Sequence, residues 1–203
     1  MQALKIGITG GIGSGKSIIC QVFHELGVPV YNADEEAKKL VREHPEIKAE
    51  IIKTFGADIY SLTGELQRAR LSELVFKKPE LLKKLNSIVH PKVGQHFLDW
   101  AGKFENIPYV IKEAAIIFES GSYRHLDKVI MVSAPESLRI KRVLEREFIS
   151  EEAIRARIKN QLSEEEKIKK SDFIIYNDET RLVIPQILDL HKKINLLSQT
   201  YYS

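Results

Sequence analysis

The stretch with the clearest chemical content lies near the start of the chain and reads IGITGGIGSGKS, from Ile6 to Ser17. It matches the spacing G-x-x-x-x-G-K-[ST], in which backbone N–H groups surround phosphates, the lysine reaches the β- and γ-phosphates and the hydroxyl ligates Mg²⁺. Glycines are needed because a loop that turns around an anion requires positive φ and an unobstructed backbone. A plain glycine-rich turn is the alternative, but it would not require Lys16 and Ser17 at its end.

The flanking residues fit a phosphate-binding loop. An apolar strand ends at Thr9, and the amphipathic pattern KSIICQVFHEL predicts a helix that stops at Gly27. The N-terminus of such a helix adds the positive end of its dipole to the site. We therefore assign the nucleotide contacts to the loop and the first helical turn, namely Gly11, Ile12, Gly13, Ser14, Gly15, Lys16, Ser17 and Ile18.

A carboxylate follows the second apolar run, VPVYNA, from Val28 to Ala33. Asp34 closes this run, so we expect it at the carboxyl end of a parallel strand, where open α/β sheets bind their ligands. There it can accept a hydroxyl proton and direct the hydroxyl at the γ-phosphate. The segment ADEEAKKLV also fits a helix start with Asp34 as its N-cap, and the two roles are compatible.

The type of reaction is narrowed by motifs that the chain lacks. It has no guanine-reading N-K-x-D, and the run KVIMVSA lacks the terminal Asp or Asp-Glu that motor and transporter ATPases usually carry. The run YVIKEA carries Glu113, which can orient Mg²⁺ through water or form a structural salt bridge. We therefore favour a kinase acting on a small molecule.

Basic residues are concentrated between Arg139 and Lys159, with seven lysines and arginines against four acidic residues. Arg142 and Arg146 are four apart and share one helical face. Arginines on a mobile flap can neutralise charge on a phosphoryl group in transfer. An ordinary solvated helix face is the alternative.

Composition sets further bounds. The chain has 203 residues, a net charge of +3 and one cysteine, Cys20, which we expect in the core. A single cysteine allows no internal disulfide, and no leader or membrane-spanning run is found, so we predict a cytoplasmic protein. The mild charge gives no reason to expect a nucleic-acid or membrane partner, and nothing in the sequence predicts an oligomeric state.

The remaining pattern predicts an α/β fold with a five-stranded parallel sheet. Its strands lie at 3–9, 28–33, 109–114, 128–134 and 172–177, each followed by a helical pattern. Between them, residues 45–104 look helical, with helices beginning at Pro79 and Pro91 and one ending at Gly56. We predict a single domain over 1–203: a core (1–44, 105–138 and 170–203), a helical substrate lobe (about 45–104) and a lid (about 139–169).

Several segments together resemble the dephospho-CoA kinase family over nearly the whole chain. They are TGGIGSGKS, YNADEEAKKLV, GELQRARLSELVF, LNSIVHP, IIFESG, SAPESLRIKRVLERE and SDFIIYND. The family's usual DAD segment has Asn32 in place of its first Asp here, so the carboxylate role rests on Asp34 alone. Ala115 stands where many members have Pro, and Glu113 where an Asp is common.

The resemblance implies a P-loop core with a three-layer α/β/α arrangement, a helical insert, a lid, and transfer of phosphate from ATP, with Mg²⁺, to 3′-dephospho-CoA. It implies Asp34, Lys16 and Arg142 as catalytic residues and Ser17 as the metal ligand. Arg146 and Asn177 would join the ATP contacts. The acceptor would contact Thr9, Asp34, Arg68, His90 and Glu113. Another small-molecule P-loop kinase, such as a nucleoside monophosphate kinase, and a non-catalytic nucleotide-binding regulator are the alternatives.

Overall fold

The first strand leads directly into the glycine-rich loop. In the computed structural model, which describes residues 2–61 and 63–201, strand β1 covers Leu4–Thr9 and helix α1 covers Lys16–Glu25. The helix ends just before Gly27, whose φ of 84° is a conformation that favours glycine. The predicted strand–loop–helix order is therefore confirmed.

Four further strands complete a parallel sheet in the order β2-β3-β1-β4-β5. They are β2 (Val30–Asn32), β3 (Tyr109–Glu113), β4 (Lys128–Ser133) and β5 (Phe173–Tyr176). Each lies within a run predicted as a strand, and the fold is the expected α/β class. With β1 central, the carboxyl ends of all five strands lie along one edge, where the glycine-rich loop begins.

The other helices follow from amphipathic patterns and local end signals. A Ser163–Glu166 capping box starts α8, and Gly56 ends α3. The bounds are α2 (Ala33–Glu43), α3 (Pro45–Phe55), α4 (Arg68–Lys77), α5 (Pro79–Ala101), α6 (Glu136–Arg146), α7 (Glu151–Lys159), α8 (Glu164–Lys170) and α9 (Val183–Tyr201). Within the described ranges, no helix has the length and apolarity needed to cross a membrane.

Helices α1 and α9 pack on one face of the sheet. Their buried side chains, among them Phe23 and Ile187, form one cluster with alternate residues of four strands. Burying an aliphatic or aromatic side chain of this size contributes about 1.5–3 kcal/mol, so this layer fixes the sheet. Side chains of β4 alternate between the two faces of the sheet, so Ser133 points away from this cluster. It donates to Glu164 Oε1 of α8 at 2.5 Å. The sheet therefore carries helices on both faces.

Two details differ from the sequence prediction. Pro91 does not begin a helix but lies inside α5, because the buried residues Val89, Val93 and Phe97 repeat every four positions across it. This continuous apolar stripe offsets the one backbone hydrogen bond that proline cannot make. Also, β3 is not followed by an α-helix: turns and a short 3₁₀ helix, Ser122–His125, lead to β4.

The chain divides into two compact units. The sheet unit joins the chain up to Asn32 with the chain from Asp99 onwards, and the helical unit covers Ala33–Leu98. The predicted domain limits of core, lobe and lid stay a prediction, and residues 1, 62, 202 and 203 of that assignment lie outside the described residues.

Candidate active site

The loop between β1 and α1 has the backbone conformation that an anion-binding loop requires. Gly13 and Gly15 have φ of 78° and 90°, which an L side chain adopts only with strain. A Cβ on Gly13 would also lie 2.3 Å from the Arg139 carbonyl oxygen. Both conformation and space therefore require glycine at position 13. The Ile12 and Ser14 amides donate to Gln161 Oε1 and to the Gly11 carbonyl oxygen, so an anion would be met by the later amides of the turn and by the N-terminus of α1.

The side chain of Lys16 folds back over this loop. Its Nζ donates to the carbonyl oxygens of Gly10 at 3.0 Å and Gly11 at 3.4 Å. The hydroxyl of Ser14 is buried inside the loop and has no hydrogen-bond partner among the described residues. A buried polar atom without a partner costs free energy, so a ligand that accepted this hydrogen bond would be favoured.

Ser17 and Glu113 meet at the edge of the sheet. Ser17 Oγ donates to Glu113 Oε1 at 2.7 Å, and Asn32 Nδ2 donates to Glu113 Oε2 at 3.2 Å. Glu113 ends β3, and its strand register places it opposite Ile8 of β1 and Asn32 of β2. Parallel pairing therefore brings together three polar residues that are far apart in the sequence.

These oxygen atoms fit a magnesium ion. A hydroxyl and a carboxylate are ligands that Mg²⁺ accepts, and Mg²⁺ usually keeps several waters and takes further oxygens from substrate phosphates. In the part of the chain that the structure describes, no group of three or more His, Cys, Asp or Glu residues could hold a metal. Because Mg²⁺ takes phosphate oxygens and waters beside a few protein oxygens, Ser17 and Glu113 are suited to an ion that arrives with a nucleotide.

Cys20 lies one helical turn after Ser17 and packs in the core, as expected, with 3% of its surface exposed. Burial raises the pKa of its thiol, and the negative charge of Glu113 raises that pKa further. The thiol therefore stays protonated and is unsuited to act as a nucleophile.

Arg142 is connected to the glycine-rich loop by way of Asn177. The Arg142 guanidinium donates to the Asn177 backbone oxygen at 3.1 Å and lies 3.3 Å from a carboxylate oxygen of Glu179. Asn177 Nδ2 in turn donates to the Ser14 carbonyl oxygen at 2.9 Å. Arg146 is more exposed and donates to Glu147 at 2.6 Å. Of the two predicted lid arginines, Arg142 is the one whose contacts lead to the loop.

Three loop neighbours differ in how they are held. Thr9 donates through Oγ1 to the Ala115 carbonyl oxygen at 3.3 Å, which secures the end of β1. The Ile18 side chain is 69% exposed, so any nucleotide contact from this residue comes from its backbone. The Ile12 N–H donates to Gln161 Oε1 at 3.2 Å.

Sequence reasoning missed Arg139 and Gln161 as neighbours of the loop. Arg139 is 5% exposed; its Nε donates to the Ala134 carbonyl oxygen at 3.0 Å, and a Cβ on Gly11 would lie 2.1 Å from its Nη1. Arg139 was visible only as one of seven basic residues, and no local pattern marks Gln161. A cavity of about 360 Å³ opens beside both side chains, with Lys159 and Lys167 also in its wall.

Three of the five predicted acceptor residues, Asp34, Arg68 and His90, belong to the helical unit, whereas Thr9 and Glu113 belong to the sheet unit. Helix α2 begins at Ala33, so Asp34 lies inside its first turn, beside Glu35 and Glu36, rather than at the N-cap. Arg68 is the first residue of α4. The Glu35 pKa is lowered first by a hydrogen bond from Lys38 and, more weakly, by the positive charge of Arg68. Arg68 therefore lies near the start of α2, whereas His90 lies in the interior of α5.

The family model described as dephospho-CoA kinase matches residues 4–182 of the chain. A dephospho-CoA kinase of Bacteroides fragilis is 41% identical over 200 residues, which are 97% of each chain. That of Chlorobaculum tepidum is 40% identical over 183 residues, or 87% of this chain and 88% of the relative.

Solved structures agree with these relatives. Dephospho-CoA kinase from Campylobacter jejuni is 31% identical, covers 97% of this chain and 98% of its own, and has a TM-score of 0.68. A Thermus thermophilus crystal structure is also 31% identical, covers 96% of this chain and 97% of its own, and has a TM-score of 0.80. A shikimate kinase from Bacteroides thetaiotaomicron, 13% identical with a TM-score of 0.52, shares the fold.

Proposed function

The chain belongs to the dephospho-CoA kinase family, and we propose that its glycine-rich loop, Asp34 and Arg142 carry out the reaction of that family. The reaction is the ATP-dependent phosphorylation of the ribose 3′-hydroxyl of 3′-dephospho-CoA, which yields CoA and ADP. The observation that carries our assignment of the nucleotide site is the 2.7 Å contact between Ser17 Oγ and Glu113 Oε1, directly after the loop lysine.

The loop and Lys16 would bind the triphosphate. In this proposal Lys16 exchanges the carbonyl oxygens of Gly10 and Gly11 for phosphate oxygens, and Ser14 gains the partner that it lacks. A positive charge at the γ-phosphate stabilises the transition state most, because charge is spread over the transferring group.

Ser17 and Glu113 would hold Mg²⁺, Ser17 directly and Glu113 through water. The ion, when bound with ATP, neutralises charge on the β- and γ-phosphate oxygens. Asn32 keeps Glu113 aligned by donating to its second oxygen. The Mg²⁺ assignment rests on the oxygen chemistry of this pair and on the phosphates that would supply the remaining ligands.

Asp34 would position the acceptor. The acceptor 3′-oxygen forms a bond to the γ-phosphorus while the bond from that phosphorus to the β,γ-bridging oxygen breaks, and ADP leaves. The hydroxyl proton passes to Asp34 or to solvent. Since phosphoryl transfer is loose, aligning the hydroxyl matters more than removing its proton early. Arg68, close to the start of α2, would pair with an acceptor phosphate, and Thr9 and His90 remain predicted acceptor contacts.

Arg142, Arg146 and Asn177 would cover the nucleotide. Arg142 is placed by Asn177, which also contacts the loop, and a closing movement would direct its guanidinium to the phosphates. The partners in this proposal are ATP and 3′-dephospho-CoA, without nucleic acid or membrane. A cytoplasmic location is consistent with the buried single cysteine.

The test is ADP release from ATP and Mg²⁺ with and without 3′-dephospho-CoA, with adenosine, AMP and CMP as rival acceptors. We expect release only with 3′-dephospho-CoA, together with formation of CoA, and loss of activity when EDTA removes Mg²⁺. Release with a rival acceptor would contradict the substrate assignment. ATP binding without release to any acceptor would instead support a nucleotide-binding regulator.

A further inference from the structure

The start of the glycine-rich loop is tied to a distant segment of the chain. Ile12 N donates to the side-chain oxygen of Gln161 at 3.2 Å. Gln161 lies between α7 and α8, two residues after α7 ends at Lys159. The contact thus joins the loop to the far end of the arginine-rich region. Because the donor is a backbone amide, the contact restrains the backbone conformation of the loop.

The residue after Gln161 is held by an ion pair. The next residue, Leu162, donates its backbone N–H to Glu119 Oε1 at 2.9 Å. Lys167 Nζ lies 2.9 Å from the same oxygen and also donates to the Ala115 carbonyl oxygen at 3.2 Å. The Lys167 side chain is 1% exposed. Because Lys167 is buried, its pairing with Glu119 keeps that carboxylate in place to accept from Leu162, and this holds the segment around Gln161.

Lys167 is also linked to the residue that precedes the glycine-rich loop. The carbonyl oxygen of Ala115 accepts a hydrogen bond from Thr9 Oγ1 as well as from Lys167. The Ile12 side chain packs against a small apolar cluster of Ile140, Val143 and Ile154, which belongs to α6 and α7. Both the amide and the side chain of Ile12 are therefore held from the region of α6, α7 and α8.

We propose that Gln161 is a positioning residue that fixes the backbone at Ile12 so that the following loop amides face the nucleotide phosphates, with Glu119 and Lys167 holding Gln161 in place. Gln161 carries no charge, and its oxygen is engaged by the loop amide, so it acts on the phosphates through the loop. This inference rests on the proposed nucleotide role of the loop and adds a coupling between that loop and the segment following α7.

The direct test is Gln161→Met, which keeps the length of the side chain and removes the acceptor. The net contribution of a neutral hydrogen bond is small, so we expect KM for ATP to rise about fivefold. KM for 3′-dephospho-CoA should stay within about twofold. Hydrogen exchange at the Ile12 amide should become faster, and Gln161→Glu, which retains an acceptor oxygen, should restore its protection.

Gln21→Met, at an exposed position on α1, is the matched control and should change neither constant. Glu119→Gln should also raise KM for ATP, and its effect should not add to that of Gln161→Met, because the two residues act through one contact. Additive effects would show that Glu119 acts elsewhere. If Glu119→Gln does not fold, Gln161→Met still decides the role of Gln161.

The inference is overturned if Gln161→Met leaves both KM for ATP and exchange at Ile12 unchanged, if it lowers KM for ATP, or if both KM values rise equally. These results differ from failure of the proposed function. A wild-type protein that forms no ADP with 3′-dephospho-CoA contradicts the function, whereas an active wild type with an indistinguishable Gln161→Met variant contradicts only the role of Gln161.

Discussion

The sheet unit and the helical unit hold their functional groups in different ways. In the sheet unit, Lys16, Ser17 and Arg142 are each positioned by residues distant in sequence or by loop carbonyls. In the helical unit, charged residues around Asp34 pair with near neighbours on the same helix, such as Lys38 with Glu35, with both side chains 58% exposed. The proposed nucleotide site is therefore held by contacts between distant parts of the chain, whereas Asp34 and Arg68 take their places mainly from the starts of two helices.

The difference has a functional consequence. Groups that the fold holds in fixed positions stabilise the charge of a transition state without any rearrangement. When such a group is removed, water must reorient to take its place, and the reaction slows. Exposed groups on helix starts contribute through their position relative to a bound acceptor. We therefore expect substitutions at the nucleotide-facing residues of the sheet unit to lower kcat strongly. Substitutions in the helical unit should lower kcat while KM for ATP changes little.

The largest effect should come from Lys16→Ala. It removes the positive charge that would stabilise the transferring phosphoryl group, so we expect kcat to fall about a thousandfold. Steady-state assays with saturating 3′-dephospho-CoA measure this, and calorimetry tests whether the variant still folds. Activity within tenfold of the wild type would remove Lys16 from the catalytic role.

Asp34→Asn tests the helical unit. We expect kcat to fall about a hundredfold, because an amide cannot accept the proton and orients the hydroxyl poorly, while KM for ATP changes little. The neighbouring Glu35→Gln is the control and should retain nearly full activity, since Glu35 is exposed and pairs with Lys38. An unchanged kcat in Asp34→Asn would reduce Asp34 to a helix-start residue.

Arg142→Ala should have a smaller effect, a fall in kcat of about tenfold to a hundredfold that exceeds any change in KM for the acceptor. Arg155→Ala serves as the comparison, because Arg155 is exposed on α7 and pairs with Glu136 and Glu151. A change confined to KM for 3′-dephospho-CoA would place Arg142 outside the nucleotide site.

Lys112 provides a test of stability within the sheet unit. It is 2% exposed in β3, and burial lowers its pKa from 10.5 to about 8. Below pH 8 the lysine is charged in both the folded and the unfolded state, so its burial is penalised. Between pH 8 and 10.5 only the unfolded state keeps the proton, and stability therefore rises with pH.

Relative to Lys112→Met, the wild type should thus gain about 2 kcal/mol of unfolding free energy between pH 7 and pH 10. Urea denaturation of both proteins at the two pH values measures the difference, and the other titrating groups cancel in the comparison. Parallel pH dependence of the two proteins would show that Lys112 does not titrate in this range.

The smallest effect is expected in the helical unit, from Arg70→Ala. Arg70 pairs with Asp58, and both side chains are more than half exposed. An ion pair of this kind contributes about 0.2–1 kcal/mol at most and is screened by salt. Thermal unfolding in low and high salt should show a shift of a few degrees or less, and a larger shift would mean that this pair is part of a network.

Local patterns predicted most of the sheet unit. The five strands lie where apolar runs indicated them, and the glycine-rich loop joins β1 to α1 as its motif required. The same reasoning placed a helix start at Pro91, where the structure has the interior of α5. A proline is a strong local signal, but the repeated burial of Val89, Val93 and Phe97 carries the helix through it.

The sequence by itself determined where the loop that can bind phosphates lies, because glycines at positions 13 and 15 permit a positive φ and the amphipathic pattern that follows starts α1. Tertiary structure alone decided that Glu113 meets Ser17, that Arg142 reaches Asn177 and that Gln161 holds Ile12. Those partners come from separate strands and helices. Strand order and side-chain packing bring them within hydrogen-bond distance, and neither is encoded in any local spacing of residues.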